Sequence, residues 1–210
     1  MAPEENLQAF VITLRPGKRV SAAQHAKNWH NSDSAGIGEK VVTGRRSAGE
    51  AEVGDSQAQT VVAAVAAALF DRDRASQALG MRLVEVSRGC ARVSMTVRPD
   101  MLNGHDACHG GIIFSLADSA FAFACNSHNV ATVAAAASID FLYPAKEGDE
   151  LIAEARELWR SKRNGLYEVD VSNQRGERIA LFRGRSYSLG RQVLAEESVV
   201  ERSGAGGARL

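Results

Sequence analysis

The patterning of this 210-residue sequence predicts an α+β fold in which an antiparallel sheet wraps around one long central helix. Residues 111–126 carry Ile112, Ile113, Phe114, Leu116, Phe121, Phe123 and several alanines almost all the way round a helical wheel, as a helix buried on more than one side requires. Two strand-like stretches precede it and about four follow, and the connections between the last ones are short enough to require antiparallel neighbours.

Residues 1–57 are polar and rich in Gly, Ser and Ala. They hold too little apolar surface for a core and are expected to form a largely disordered extension with one short strand at Phe10-Val11-Ile12-Thr13-Leu14. A translation start assigned too far upstream would account for that composition; native peptides from residues 1–46 in a mass spectrum would overturn this hypothesis. The folded domain is expected over 58–190. Ser56 is read as the N-cap of an alanine-rich helix over 60–70, followed by Asp71-Arg72-Asp73-Arg74 and a second short helical stretch that stops at Gly80.

Residues 81–86 and 90–97 read as two strands joined through Ser87-Arg88-Gly89, and Pro99 ends the second. Beyond the central helix, 134–143 forms a strand that stops at Pro144, and 150–160 alternates Leu151, Ala153 and Ala155 against Glu154 and Arg156. Residues 166–173 place Tyr167, Val169 and Val171 on one face and Glu168, Asp170 and Ser172 on the other, a period of two. The turn Asn173-Gln174-Arg175-Gly176-Glu177 leads into a last strand over 179–189, and 191–210 is expected to be a flexible tail.

Lys plus Arg (25) equal Asp plus Glu (25), so the overall charge calls for neither nucleic acid nor an anionic membrane as partner. The longest apolar run, 61–70, is about half of the ~20 residues a membrane-spanning helix needs, and the N-terminus lacks the pattern of a secretory signal. A cytoplasmic protein is expected. Cys90, Cys108 and Cys125 are odd in number and lack CxxC spacing, which argues against a disulfide framework or zinc ribbon. His25 and His30 have no thiolate or carboxylate pattern beside them, so no metal site is expected.

Chemistry concentrates where the loop Asn103-Gly104-His105-Asp106-Ala107-Cys108-His109-Gly110-Gly111 opens into the central helix. The free N–H groups of the first turn, near Gly110 and Gly111, face whatever lies in front of the helix and would stabilise a developing oxyanion. Asp118 is a lone carboxylate in the middle of this apolar helix. Burying it unpaired is costly, so it needs a partner, a water-lined pocket or a raised pKa, and carboxylates so perturbed concentrate in functional clefts. Gly110 and Asp118 are eight residues apart, about 12 Å along a helix axis, too far for one helix to bring both to one carbonyl carbon. Two antiparallel copies of the helix across a subunit interface could do so, which predicts a homo-oligomer with composite sites.

Asn103-Gly104 with Cys108-His109-Gly110-Gly111, the helix segment from Phe114 to Phe121, and the late strand segment from Ala180 to Tyr187 resemble the PaaI-type acyl-CoA thioesterases of phenylacetate degradation, within the hotdog-fold superfamily. The resemblance covers roughly residues 59–189. It implies that the Gly110 N–H polarises the thioester carbonyl, that Asp118 serves as general base or nucleophile, and that Asn103 positions the thioester or the attacking water. It also implies acyl-CoA as substrate, with no cofactor beyond the coenzyme A that is part of it, a preference for aromatic acyl groups such as phenylacetyl or hydroxyphenylacetyl, and a dimer of dimers.

Other candidates are weighed against simpler roles. His109 is read first as a cap or packing residue at the helix start and only second as a base, and His105 as loop-exposed. Ser115 and Ser119 are not in a GxSxG elbow, which argues against a serine triad. Arg160, Lys162, Arg163 and Asn164, or Arg183 and Arg185, are candidate contacts for the phosphates of coenzyme A and equally suit a solvated hairpin or strand edge. Phe121, Phe123, Phe141 and Tyr143 could line an acyl pocket, although most apolar residues at such spacings are core. Two alternatives stay open: a hotdog hydratase or dehydratase, for which His109 with Asp118 is the candidate pair, and a non-catalytic acyl-CoA-binding protein.

Overall fold

The central helix of this chain lies against one face of a six-stranded antiparallel sheet ordered β1-β2-β4-β5-β6-β3, as seen in a computed structural model that describes residues 48–195, with side chains over 57–195. The strands are β1 (Arg82–Ser87), β2 (Cys90–Thr96), β3 (Val130–Phe141), β4 (Glu150–Arg160), β5 (Asn164–Asn173) and β6 (Arg178–Gln192). Two helices precede them, α1 (Ala48–Phe70) and α2 (Arg74–Ala78); the central helix is α3 (Gly110–Asn126). The strand expected at Phe10-Val11-Ile12-Thr13-Leu14 and the tail over 196–210 lie outside the described residues.

The core forms where the predicted alternation points. Leu116, Ala117, Ala120, Phe121 and Ala124 of α3 are buried against Val93 and Met95 of β2, Ala153 and Ala155 of β4, Val169 and Val171 of β5, and Phe182 of β6. Phe121 meets Tyr167 edge-on at 5.3 Å, and it can lie flat on β6 because residue 184 is glycine: a Cβ there would sit 2.9 Å from the Phe121 ring.

The largest departures from the expected boundaries are the starts of α1 and β3; β6 also runs on to Gln192, past the 189 expected and into the start of the expected tail. α1 begins at Ala48 rather than after Ser56, because the alanine- and glutamate-rich run before Ser56 favours helix enough to override Gly49 and Gly54. β3 begins at Val130 rather than Ala134. The buried Asn126 carboxamide accepts from Thr132 N–H and donates to the Thr132 carbonyl, both at 2.9 Å, so the chain is caught as an extended strand directly after the helix.

β3 sits at one end of the sheet with β6 as its sole neighbour, and residues 133–138 are exposed although five of the six are Val or Ala. On α3, Gly111, Ser115, Asp118 and Ala122, spaced as one stripe along the helix, are exposed or half-buried. Among the described residues no helix is long and apolar enough to cross a membrane.

Candidate active site

The start of α3 is built by the loop before it. Asn103 Oδ1 accepts from the backbone N–H of His105 (2.8 Å) and Ala107 (3.4 Å), which curls the loop and leaves the Asn103 amide nitrogen without a partner among the described residues. His109 N–H donates to the Met101 carbonyl and Cys108 N–H to the Ala145 carbonyl, so the loop is pinned on both sides before the helix begins. His109 is then the N-cap: its Nδ1 accepts from Gly111 N–H at 3.0 Å. That contact uses the Gly111 donor and leaves the Gly110 N–H, at the positive end of the helix dipole, free of any partner among the described residues. His109 therefore acts on the site as a cap, in accord with the first of its two readings. Its ring is turned to the helix start rather than offered to Asp118.

In front of Gly110 lies an open cleft of about 370 Å³, lined by Asn103, Ile113, Phe141, Tyr143 and Pro144 among others. Phe141, the last residue of β3, and Tyr143 just after it are the two of the four candidate aromatics that line this cleft. Phe121 and Phe123 are buried in the core instead, because their positions on α3 face the sheet and α1. Cys108 also lines the cleft, but burial pushes its thiol up to about 11, and burial pushes Cys125 up to about 12; neither presents a thiolate nucleophile at neutral pH. Ser115 Oγ donates to the Gly111 carbonyl and Ser119 Oγ is paired with Ser76 Oγ, both at 2.8 Å, and among the described residues neither hydroxyl is hydrogen-bonded to a histidine or carboxylate.

Asp118 lies farther along α3, half-buried, without a hydrogen bond or ion pair among the described residues. Burial raises its pKa above the ordinary carboxylate value. It is absent from the lining of the Gly110 cleft, as the eight-residue spacing requires. One copy of the chain therefore holds an unpartnered N–H at Gly110 and an unpartnered carboxylate at Asp118 that do not share a cavity.

Arg160, Lys162, Arg163 and Asn164 come together at the β4–β5 hairpin around a small pocket of about 60 Å³, near the C-terminal end of α3. Glu157 sits beneath them, accepting from Tyr167 Oη at 2.6 Å and pairing with His128 Nε2 at 2.7 Å. Burial lowers the His128 pKa, with Glu157 partly offsetting it. Arg160 approaches Glu157 at 3.7 Å, Arg163 Nη1 donates to Tyr187 Oη at 3.1 Å, and Lys162 has no ion pair among the described residues. Arg183 is engaged with Glu168, so its guanidinium is the less available of the proposed phosphate contacts. The Glu157–His128–Tyr167 cluster escaped sequence reading because its members come from β4, β5 and the segment after α3, with no local spacing to reveal them.

Residues 105–180 match the model of the thioesterase superfamily. The chain is 46% identical over 129 residues to the acyl-coenzyme A thioesterase PaaI of Escherichia coli (strain K12), a match spanning 61% of this chain and 92% of that protein. The chain belongs to the PaaI-type acyl-CoA thioesterases. The structure of the E. coli PaaI protein from the phenylacetic acid degradation operon superposes with a TM-score of 0.62 at 43% identity, covering 66% of this chain and 97% of that one. A more distant solved structure, smu.793 of Streptococcus mutans bound to acetyl CoA, superposes with a TM-score of 0.52 at 26% identity over 53% of this chain and 90% of that one. The chain has the hotdog fold of this superfamily, one central helix against an antiparallel sheet.

Proposed function

We propose that this thioesterase hydrolyses aromatic acyl-CoAs, phenylacetyl-CoA or hydroxyphenylacetyl-CoA, to free acid and coenzyme A in phenylacetate degradation, at sites completed by two copies of the chain. The observation that carries the reading is the division of α3: an unused N–H at Gly110 and an unpartnered carboxylate at Asp118, on one helix and too far apart to act on one carbonyl. The uncovered stripe Gly111, Ser115, Asp118 and Ala122 consists of small side chains around the acid, which lets a second α3 approach closely in antiparallel sense. The open edge of β3 supports the same pairing, since an exposed apolar edge strand is a template for another strand.

In such a site the thioester carbonyl oxygen points at the Gly110 N–H of one subunit. Asp118 of the other takes a proton from water as the water oxygen bonds to the carbonyl carbon. The oxyanion, held at the helix start, collapses and expels the coenzyme A thiolate. Direct attack by the Asp118 carboxylate, giving an anhydride that water then opens, uses the same atoms. The amide nitrogen of Asn103, left free by the loop bonds, is available to orient the thioester or the water. Arg160, Lys162, Arg163 and Asn164 supply charge suited to the phosphates of coenzyme A. The phenylacetic acid degradation operon from which the E. coli PaaI protein comes supports the aromatic acyl group, and the acetyl CoA bound by smu.793 supports a CoA thioester. The hydratase alternative gains nothing from the geometry, because His109 serves the helix cap.

The test is thiol release against a panel of phenylacetyl-, hydroxyphenylacetyl- and straight-chain acyl-CoAs, with analytical ultracentrifugation of the same sample. Release favouring the aromatic thioesters from an oligomer is expected. A monomer that turns substrate over would overturn the composite site, and faster release from the straight-chain thioesters would overturn the aromatic assignment.

A further inference from the structure

One wall of the cleft is not accounted for by folding. Phe141, Leu142 and Tyr143 follow one another at the end of β3 with 53%, 51% and 51% of their surface exposed. Their main chain is nevertheless fixed: the N–H groups of Leu142 and Tyr143 both donate to the Ile179 carbonyl, at 2.9 and 3.3 Å. A rigid backbone therefore holds large apolar side chains at the surface of a cleft.

Phe141 has a particular place among them. A Cβ on Gly110 would lie 3.0 Å from the Phe141 Cζ, so the tip of the ring reaches the start of α3 and borders the approach to the Gly110 N–H. A carbonyl that meets this N–H must pass beside the ring, and the group attached to its carbon must lie against the ring face or edge. The lining of the cleft holds no charged side chain, so it suits the acyl part of a substrate rather than its phosphates. Ile113 and Pro144 complete the apolar wall.

We propose that Phe141 is the specificity-determining residue for the acyl group, favouring an aromatic acyl ring over an alkyl chain of similar size through ring-to-ring contact beside the oxyanion donor. This rests on the thioesterase reading of the Gly110 site. An aromatic pair in a protein gains beyond what area burial supplies, enough to favour the aromatic thioester by about two-fold to ten-fold.

The experiment compares kcat/KM for phenylacetyl-CoA and hexanoyl-CoA in the wild type, Phe141→Leu and Phe141→Tyr. The leucine keeps an apolar wall but no ring, and its ratio of aromatic to straight-chain kcat/KM should fall by about two-fold to ten-fold. The tyrosine should hold the wild-type ratio. Because Phe141 is half-exposed, both variants should fold, which a thermal melt checks. An unchanged ratio in Phe141→Leu, or equal losses on both substrates, overturns the assignment while leaving the thioesterase reading intact. Absence of thiol release from either substrate in the wild type overturns both.

Discussion

Asp118 and Asp149 are chemically the same group placed in opposite surroundings. Asp149, in the turn before β4, is buried and fully engaged: Arg175 donates through Nη1 (2.8 Å) and Nη2 (3.2 Å), Gln174 Nε2 donates at 3.1 Å and Lys146 N–H at 2.9 Å. Burial pushes its pKa up, but these donors outweigh that and hold it down at about 2. Asp118 has the burial without the donors, and its pKa is raised. The fold can satisfy a carboxylate where it serves structure. Leaving Asp118 unsatisfied keeps it available to take a proton, at a cost to the stability of the folded chain.

The largest effect that separates the two carboxylates is on turnover. Asp118→Ala should lower kcat by about 10²- to 10⁴-fold, the usual worth of a positioned base, while sedimentation still shows the oligomer. Gly110→Val should fail as well, because even a Cβ at residue 110 meets the Phe141 ring at 3.0 Å. Co-expressing the two inactive chains should then restore roughly a quarter of wild-type thiol release, since half of randomly paired dimers have one site with both Gly110 and Asp118 intact. No recovery from verified mixed dimers would place both residues in the same copy. Asp149→Ala should leave kcat near wild type.

Much of this was legible in the sequence, and what was not shares a cause. Period two in Tyr167, Val169 and Val171 located β5 and its buried face, and the all-round apolar character of residues 111–126 located α3. Asp118 was conspicuous because a charge in such a helix breaks the local pattern. By contrast, Ala134 to Ala137 carry no alternation, so the start of β3 was set by Asn126 reaching Thr132 rather than by its own residues. The meeting of Phe141 with Gly110 joins a strand end to a helix start with no shared periodicity. Only the run of large apolar residues before Pro144 hinted at it. Local pattern reveals elements and their exceptions; contacts between elements require the fold.

A smaller effect concerns acid stability. A carboxylate depressed to about 2 when folded, against about 3.9 when unfolded, contributes stability that is present above the unfolded value and is lost as pH falls through the folded one. Asp149→Asn keeps the shape and removes the charge. It should lower the Tm at pH 7 by about 5 °C, and the difference from wild type should shrink between about pH 4 and about pH 2. A gap that stays constant through this window would mean that the charge of Asp149 contributes nothing and that its neighbours hold the turn by shape.

The smallest effect has the opposite sign and bears most directly on why Asp118 was left without a partner. A raised folded pKa means that the folded chain prefers the protonated acid, so the stability linked to this group is present below the ordinary carboxylate value and lost as pH rises through the folded one. At pH 7 the wild type has already lost it. Asp118→Asn, which never ionises, should retain it and raise the Tm by about 2 °C while turnover disappears, the exchange expected of a group kept for function. As pH falls below the ordinary carboxylate value the wild-type acid becomes neutral as well, and the two melts should converge. An Asn variant that is less stable at pH 7 would instead mean that the carboxylate gains a donor across the subunit interface. Asp118 would then resemble Asp149 more closely than a single copy of the chain suggests.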